Sequence, residues 1–283
     1  MSPRIRLRRG HAECLRFRDF ALLALLLVAA GCSPLWVLPI REDAERVRIP
    51  VESVILRGYL FSPKGSVGLS PAVILLSDYG AGMRDVIAGA QIFAEAGFVS
   101  LVISMRGGIA TGGRNRCALR QPADIVRALE WLGEHPEADQ SRIALFGVSQ
   151  GAQVALLTGA RSGLVRAIVA LSPPTDIDLW HRTTGHPGVR SWIASMCEGG
   201  KKGARLRSPI EHVDKIKAPV LLIHGQNDTR VPAEQSRVFA AAMRKAGGTA
   251  QVKLIDGAVH KLSVQQRRQV WEWSITFLSR HLR

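Results

Sequence analysis

From Arg46 onward the chain alternates short apolar runs with amphipathic stretches. Over Arg46–Phe61 the apolar positions Val47, Ile49, Val51, Val54-Ile55-Leu56 and Tyr59-Leu60-Phe61 recur roughly every second residue around Arg57-Gly58, which predicts an antiparallel hairpin. Turn-rich Ser62-Pro63-Lys64-Gly65 and Ser70-Pro71 follow, and Ala72–Leu76 is then a continuous apolar run, the mark of a strand buried on both faces. The pattern next predicts a helix over about Asp85–Ala96 closing at Gly97, a strand over Phe98–Ser104 and a helix over about Pro122–Glu134 with Ile125, Leu129 and Leu132 on one face. A strand at Ile143–Phe146, a helix at Gln150–Ala160 and a strand at Val165–Leu171 continue it. The last elements are a strand at Val220–Ile223, a helix at Ala233–Ala246, a strand at Ala250–Ile255 and a helix from about Val264 to Leu282.

Apolar strands alternating with helices imply an α/β fold, a mostly parallel, doubly wound sheet covered on both faces. The domain is read as residues 46–283, with no internal repeat or linker dividing it. One stretch breaks the rhythm: residues 173–218 hold few aliphatic runs but include Trp180, Trp192 and many Gly, Arg and Lys. Connections this long usually serve a function, so the segment reads as a lid-like insertion ahead of the strand at Val220, over the carboxyl edge of the sheet.

The N-terminus does not fit that sheet. Six arginines between Arg4 and Arg18 precede an apolar run, Phe20–Ala30, too short to span a bilayer comfortably. It ends in Ala29-Ala30-Gly31-Cys32-Ser33, which resembles the lipobox of bacterial lipoproteins. Residues 1–31 are therefore expected to be a signal peptide, Cys32 the lipidated residue and 32–45 a tether. The resemblance implies membrane attachment through the lipid, and Ser33 after Cys32 points to the periplasmic face of an outer membrane. A plain signal peptide or an uncleaved anchor is the other reading. With that leader removed the formal net charge falls from +15 to +11. Such a charge favours anionic surfaces, but no nucleic-acid motif accompanies it and nucleic acid is not expected as a partner. Cys117 and Cys197 are the cysteines left in the domain; in an oxidising compartment they either pair or stay as separate buried thiols.

Candidate chemistry centres on Gly147-Val148-Ser149-Gln150-Gly151, between the strand ending at Phe146 and the helix opening at Gln150. A nucleophile elbow needs a sharp strand-to-helix turn with strained backbone at the serine, so small residues must flank it. A serine hydroxyl is a weak nucleophile and needs a base oriented by an acid, here supplied in that order by loops after later strands. Asp228, in His224-Gly225-Gln226-Asn227-Asp228, is the candidate acid, with Asp176 as runner-up. His260, in the loop after Ile255, is the candidate base, whereas His224 at a strand end reads as packing. The oxyanion hole is expected from the N–H of Gln150 and of Tyr79, in Ser77-Asp78-Tyr79-Gly80-Ala81-Gly82. Asp78 beside it disfavours negative charge there unless it turns away or pairs with Arg84 or Arg106.

These motifs resemble the α/β-hydrolase superfamily, and element order fits it from about Val47 to Arg283. Arg207–Pro219 leading into His224-Gly225-Gln226-Asn227-Asp228, and Met105-Arg106-Gly107-Gly108, are similar to stretches of the prolyl oligopeptidase-like and dienelactone hydrolase-like branches. The resemblance implies a serine hydrolase with Ser149, Asp228 and His260 as its triad. Those oligopeptidases carry a propeller ahead of the catalytic domain, for which this chain has no room, so carboxylesterase-like cleavage of an ester, thioester or amide is favoured over peptidase activity. The expected substrate is a small-molecule or short-peptide acyl compound, with no metal or organic cofactor. The competing expectation is a non-catalytic envelope lipoprotein that uses the fold as a binding module.

Overall fold

The computed structural model describes residues 39–197 and 199–282. The expected leader over residues 1–31, Cys32 and the first part of the tether lie outside these. The hairpin forms as β1 (Glu45–Val51) and β2 (Val54–Phe61), paired antiparallel with Val51 opposite Val54 and Arg48 opposite Arg57. Alternation drives it: Val47, Ile49 and Val51 point inward while Arg46, Arg48 and Pro50 face water.

The remaining strands are β3 (Ser70–Leu76), β4 (Val99–Ser104), β5 (Ala138–Val148), β6 (Val165–Leu171), β7 (Val220–Gly225) and β8 (Ala250–Ile255). Among the described residues they form one sheet in the order β1-β2-β4-β3-β5-β6-β7-β8, parallel from β4 to β8. The doubly wound α/β fold expected from the pattern is therefore present. Helices α2 (Gln121–Gly133), α3 (Gln150–Gly159) and α7 (Glu234–Lys245) cover one face, where Ile125, Leu129, Val154 and Phe239 pack on Ile74, Leu145 and Leu222. Helices α1 (Arg84–Glu95) and α8 (Val264–His281) cover the other, where Phe93, Phe146 and Trp271 meet edge to face or tilted within 6.1 Å. A capping box, Ser263 with Gln266, starts α8 soon after His260.

Two places depart from the apolar pattern. Strand β5 starts at Ala138, five residues before its apolar run, because the Ser70 N–H donates to the Glu137 carbonyl and prolongs the β3–β5 ladder through polar residues at the amino end of this central strand. The lid-like segment is helical: α4 (Ile177–Thr183), α5 (Pro187–Met196), α6 (Gly200–Arg207) and a 3₁₀ turn over Pro209–Lys215. These helices are short, and their few apolar side chains, Ile177, Trp180, Ile193 and Ala204, gather with Val231 into a small separate core. Asp176, the runner-up acid, caps α4 by accepting the Leu179 N–H at 3.0 Å.

Candidate active site

Ser149 sits between β5 and α3 with φ 51° and ψ −114°, a left-handed backbone that a non-glycine residue adopts only under constraint, at a cost of roughly 1–3 kcal/mol. The constraint is visible. Its N–H donates to the Leu171 carbonyl at 2.8 Å, and its own carbonyl accepts the N–H of Ala152 and Gln153 at the start of α3. The turn closes only over glycine. A Cβ on Gly147 would lie 2.4 Å from the Gly151 carbonyl carbon, and one on Gly151 would lie 2.3 Å from the Leu76 carbonyl oxygen. The expectation that small residues must flank the serine thus has its cause in α3 pressing against β3 and β5.

The carboxyl ends of the next strands carry the other two residues, and backbone hydrogen bonds stitch these ends together. Ser172 N–H donates to Ile223, Gln226 N–H to Ile255 and Asn227 N–H to Ala258. Asp228 lies buried in the turn after β7. One carboxylate oxygen, Oδ1, accepts the N–H groups of Arg230 and Val231, both at 2.9 Å; the other, Oδ2, meets Nδ1 of His260 at 2.6 Å. Burial opposes ionisation of Asp228, but contacts with His224 and His260 and the Val231 N–H outweigh it, holding the carboxyl well below the usual carboxylate range. His260 consequently presents Nε2 on the side away from the acid, the orientation a base requires.

His224 does more than pack. Fully buried, it places Nδ1 2.7 Å from Ser236 Oγ and Nε2 2.7 Å from the Val231 carbonyl, which only an N–H can satisfy. Its Nε2 is 3.5 Å from Asp228 Oδ2, so the short bond to Val231 takes the proton and fixes the acid's turn. The lid braces the same turn from outside: Trp180 Nε1–H and the Thr184 hydroxyl donate to the Arg230 carbonyl at 2.7 and 2.9 Å, and Gly185 N–H to Thr229.

The opposite side of Ser149 differs from expectation. Gln150 is where it was predicted, at the N-terminus of α3, where backbone N–H groups lack intrahelical partners. Tyr79, however, donates its N–H to Oδ1 of Asp78 at 2.6 Å, so in this arrangement that N–H is not open to an oxyanion. Asp78 does not pair with Arg106, whose guanidinium makes two hydrogen bonds to buried Asp124, at 2.8 and 2.7 Å. No ion pair joins it to Arg84 among the described residues. The Tyr79 ring leans on Trp192 with centroids 5.0 Å apart, and Trp192 lies 6.0 Å from Trp180, so an aromatic wall runs from the oxyanion side into the lid.

Asn115 was not singled out from sequence, where it is one asparagine in an arginine-rich loop. Its side-chain amide exchanges two hydrogen bonds with that of Gln150, at 2.6 and 3.1 Å, and its Oδ1 also accepts the Cys117 N–H. Cys117 and Cys197 form a disulfide with Cα atoms 5.1 Å apart, tying this loop to the end of α5. The residue after Ser149 is thus clamped to the lid through Asn115 and one covalent link. Among the described residues no group of three or more His, Cys, Asp or Glu is placed to hold a metal ion.

A profile described as "Prolyl oligopeptidase family" matches residues 85–283. The chain is 27% identical over 191 residues to acylamino-acid-releasing enzyme 2 of Oryza sativa subsp. japonica, an alignment covering 61% of this chain and 25% of that one. It is 26% identical over 183 residues to "Uncharacterized peptidase YtmA" of Bacillus subtilis (strain 168), covering 63% of this chain and 70% of that protein. Among solved structures, an acylaminoacyl peptidase of Pyrococcus horikoshii superposes with a TM-score of 0.74 at 20% identity, over 85% of this chain and 42% of that one. The last likeness is one of fold. The chain spans about a quarter of the rice enzyme's length.

Proposed function

The chain belongs to the prolyl oligopeptidase family of serine hydrolases, and on that premise we propose that it cleaves amide bonds of short or N-acylated peptides through an acyl-enzyme on Ser149. One relative is a peptidase by name and another an acylamino-acid-releasing enzyme, which supports amides over the esters favoured from the sequence alone. One observation carries the assignment of residues: the strained Ser149 elbow stands beside strand ends that hold a buried Asp228 to His260 contact of 2.6 Å. In the proposed reaction Ser149 Oγ attacks the scissile carbonyl while His260 Nε2 takes its proton and returns it to the leaving amine. Asp228 accepts the Nδ1–H and stabilises the imidazolium that forms. Water then cleaves the acyl-enzyme by the same proton path in reverse. The Gln150 N–H is one oxyanion donor; Tyr79, with its N–H occupied, serves through its hydroxyl. The aromatic wall of Tyr79, Trp192 and Trp180 suits an apolar or aromatic side chain on the substrate.

A fluorophosphonate probe tests the nucleophile: wild type is labelled and Ser149→Ala is not, and a folded but unlabelled wild type sinks the enzyme reading. Turnover of N-acetylated amino-acid anilides, peptide anilides and matched esters then tests the substrate class. Cleavage confined to simple esters would overturn the amide proposal.

We further propose export as a lipoprotein, on the strength of the basic stretch, short apolar run and Cys32 at the N-terminus. Metabolic labelling with a radioactive fatty acid should mark the wild type and spare Cys32→Ser; equal labelling of both would refute it.

A further inference from the structure

An open cleft of about 830 Å³, lined by none of Ser149, Asp228 and His260, lies between the hairpin turn and the loop that joins β4 to α2. Its walls carry five arginines, Arg57, Arg106, Arg114, Arg116 and Arg120, and the carboxylate of Glu52; Arg106, Arg116 and Arg120 have partners of their own. Arg106 is buried at the back and committed to Asp124 and, at 3.1 Å, to Ser53. Arg120 stands 3.7 Å from Glu52. Arg57 and Arg114 are exposed, and among the described residues neither guanidinium meets a carboxylate. Arg57 also lies directly opposite Arg48 in the β1–β2 ladder, a like-charge placement that costs stability unless an anion answers it.

From this arrangement we infer that the cleft is a binding site for a phosphate-bearing anion. Guanidinium forks match phosphate oxygens two at a time, and a phosphate with more than one negative charge neutralises such a cluster better than a single carboxylate does. The volume is that of a site for a small molecule or one headgroup, not a nucleic-acid duplex. A soluble phosphate compound and an anionic phospholipid offer the same chemistry. The site does not depend on the hydrolase reading, since none of its lining residues belongs to the triad.

The test is calorimetry on the full, oxidised chain carrying Ser149→Ala, so that binding is read without turnover. One arm titrates pyrophosphate at low and high salt; the other measures sedimentation with phosphatidylglycerol-containing vesicles against pure phosphatidylcholine vesicles. Saturable binding in at least one arm, weakened by salt and reduced about ten-fold or more in Arg57→Ala/Arg114→Ala, supports the site. The arm that shows it names the source. Arg237→Ala/Arg268→Ala, on other surfaces, should bind as the parent does. Arg57 and Arg114 are both exposed, so circular dichroism should show the Arg57→Ala/Arg114→Ala variant folded. No binding in either arm, or equal binding by the Arg57/Arg114 variant, overturns the inference.

Discussion

The two sides of Ser149 are built on different principles. On the acid side Asp228 is buried, two backbone N–H groups fill one of its oxygens, His260 meets the other, and His224 and the lid fix the turn that carries it. On the oxyanion side Tyr79 is 46% exposed and its N–H is held by a neighbouring carboxylate with no ion-pair partner among the described residues. Burial with many short hydrogen bonds makes the first side rigid, because a group that moved there would lose its hydrogen bonds with no water to replace them. The second side has water as an alternative partner and can rearrange at small cost. The difference teaches that the fold presets the proposed proton path, while stabilisation of an oxyanion in the proposed reaction depends on what Asp78 does.

The comparison breaks most sharply at Asp228. Asp228→Asn leaves His260 without its acceptor and should lower kcat about 10⁴-fold. A loss under about ten-fold would reduce Asp228 to a turn residue. Next in size is Asn115→Ala, which frees the Gln150 side chain from its clamp; kcat should fall about ten-fold with KM less affected. An unchanged kcat would show that the start of α3 alone sets Gln150. On the weaker side the sign reverses. Asp78→Asn removes a negative charge beside the developing oxyanion, and kcat/KM should rise roughly three-fold to ten-fold; a fall would mean that the carboxylate serves the substrate.

Acid stability sharpens the contrast further. Because the Asp228 carboxyl is held below its usual range in the folded state, its stabilisation is complete above the unfolded value near pH 4 and is lost as pH falls through the folded value. Asp228→Asn should therefore unfold at lower temperature than wild type at neutral pH, with the gap narrowing below about pH 4 in thermal melts. A gap that stays constant into acid would contradict it.

Much of this molecule was legible because its signals are local. Strands buried on both faces announce themselves as unbroken apolar runs such as Ala72–Leu76, and Gly147 and Gly151 mark a turn that tolerates no Cβ. The lid helices were not legible: α4 and α6 are seven and eight residues long, and their apolar side chains find partners only across the chain, at Val231 and the Cys117 to Cys197 link. Asn115 left no signal, since an amide that clamps another amide 35 residues away has no periodicity or motif.

The sequence by itself determined the sheet, the elbow at Ser149 and the order of acid and histidine, because hydrophobic period and glycine placement act between near neighbours. Only the tertiary structure decided that Cys117 meets Cys197, that Tyr79 yields its N–H to Asp78, and that arginines from the hairpin and the β4–α2 loop share one cleft. Those outcomes depend on which distant groups the fold brings within hydrogen-bonding or Coulombic reach, and that distance is set by packing rather than by position in the chain.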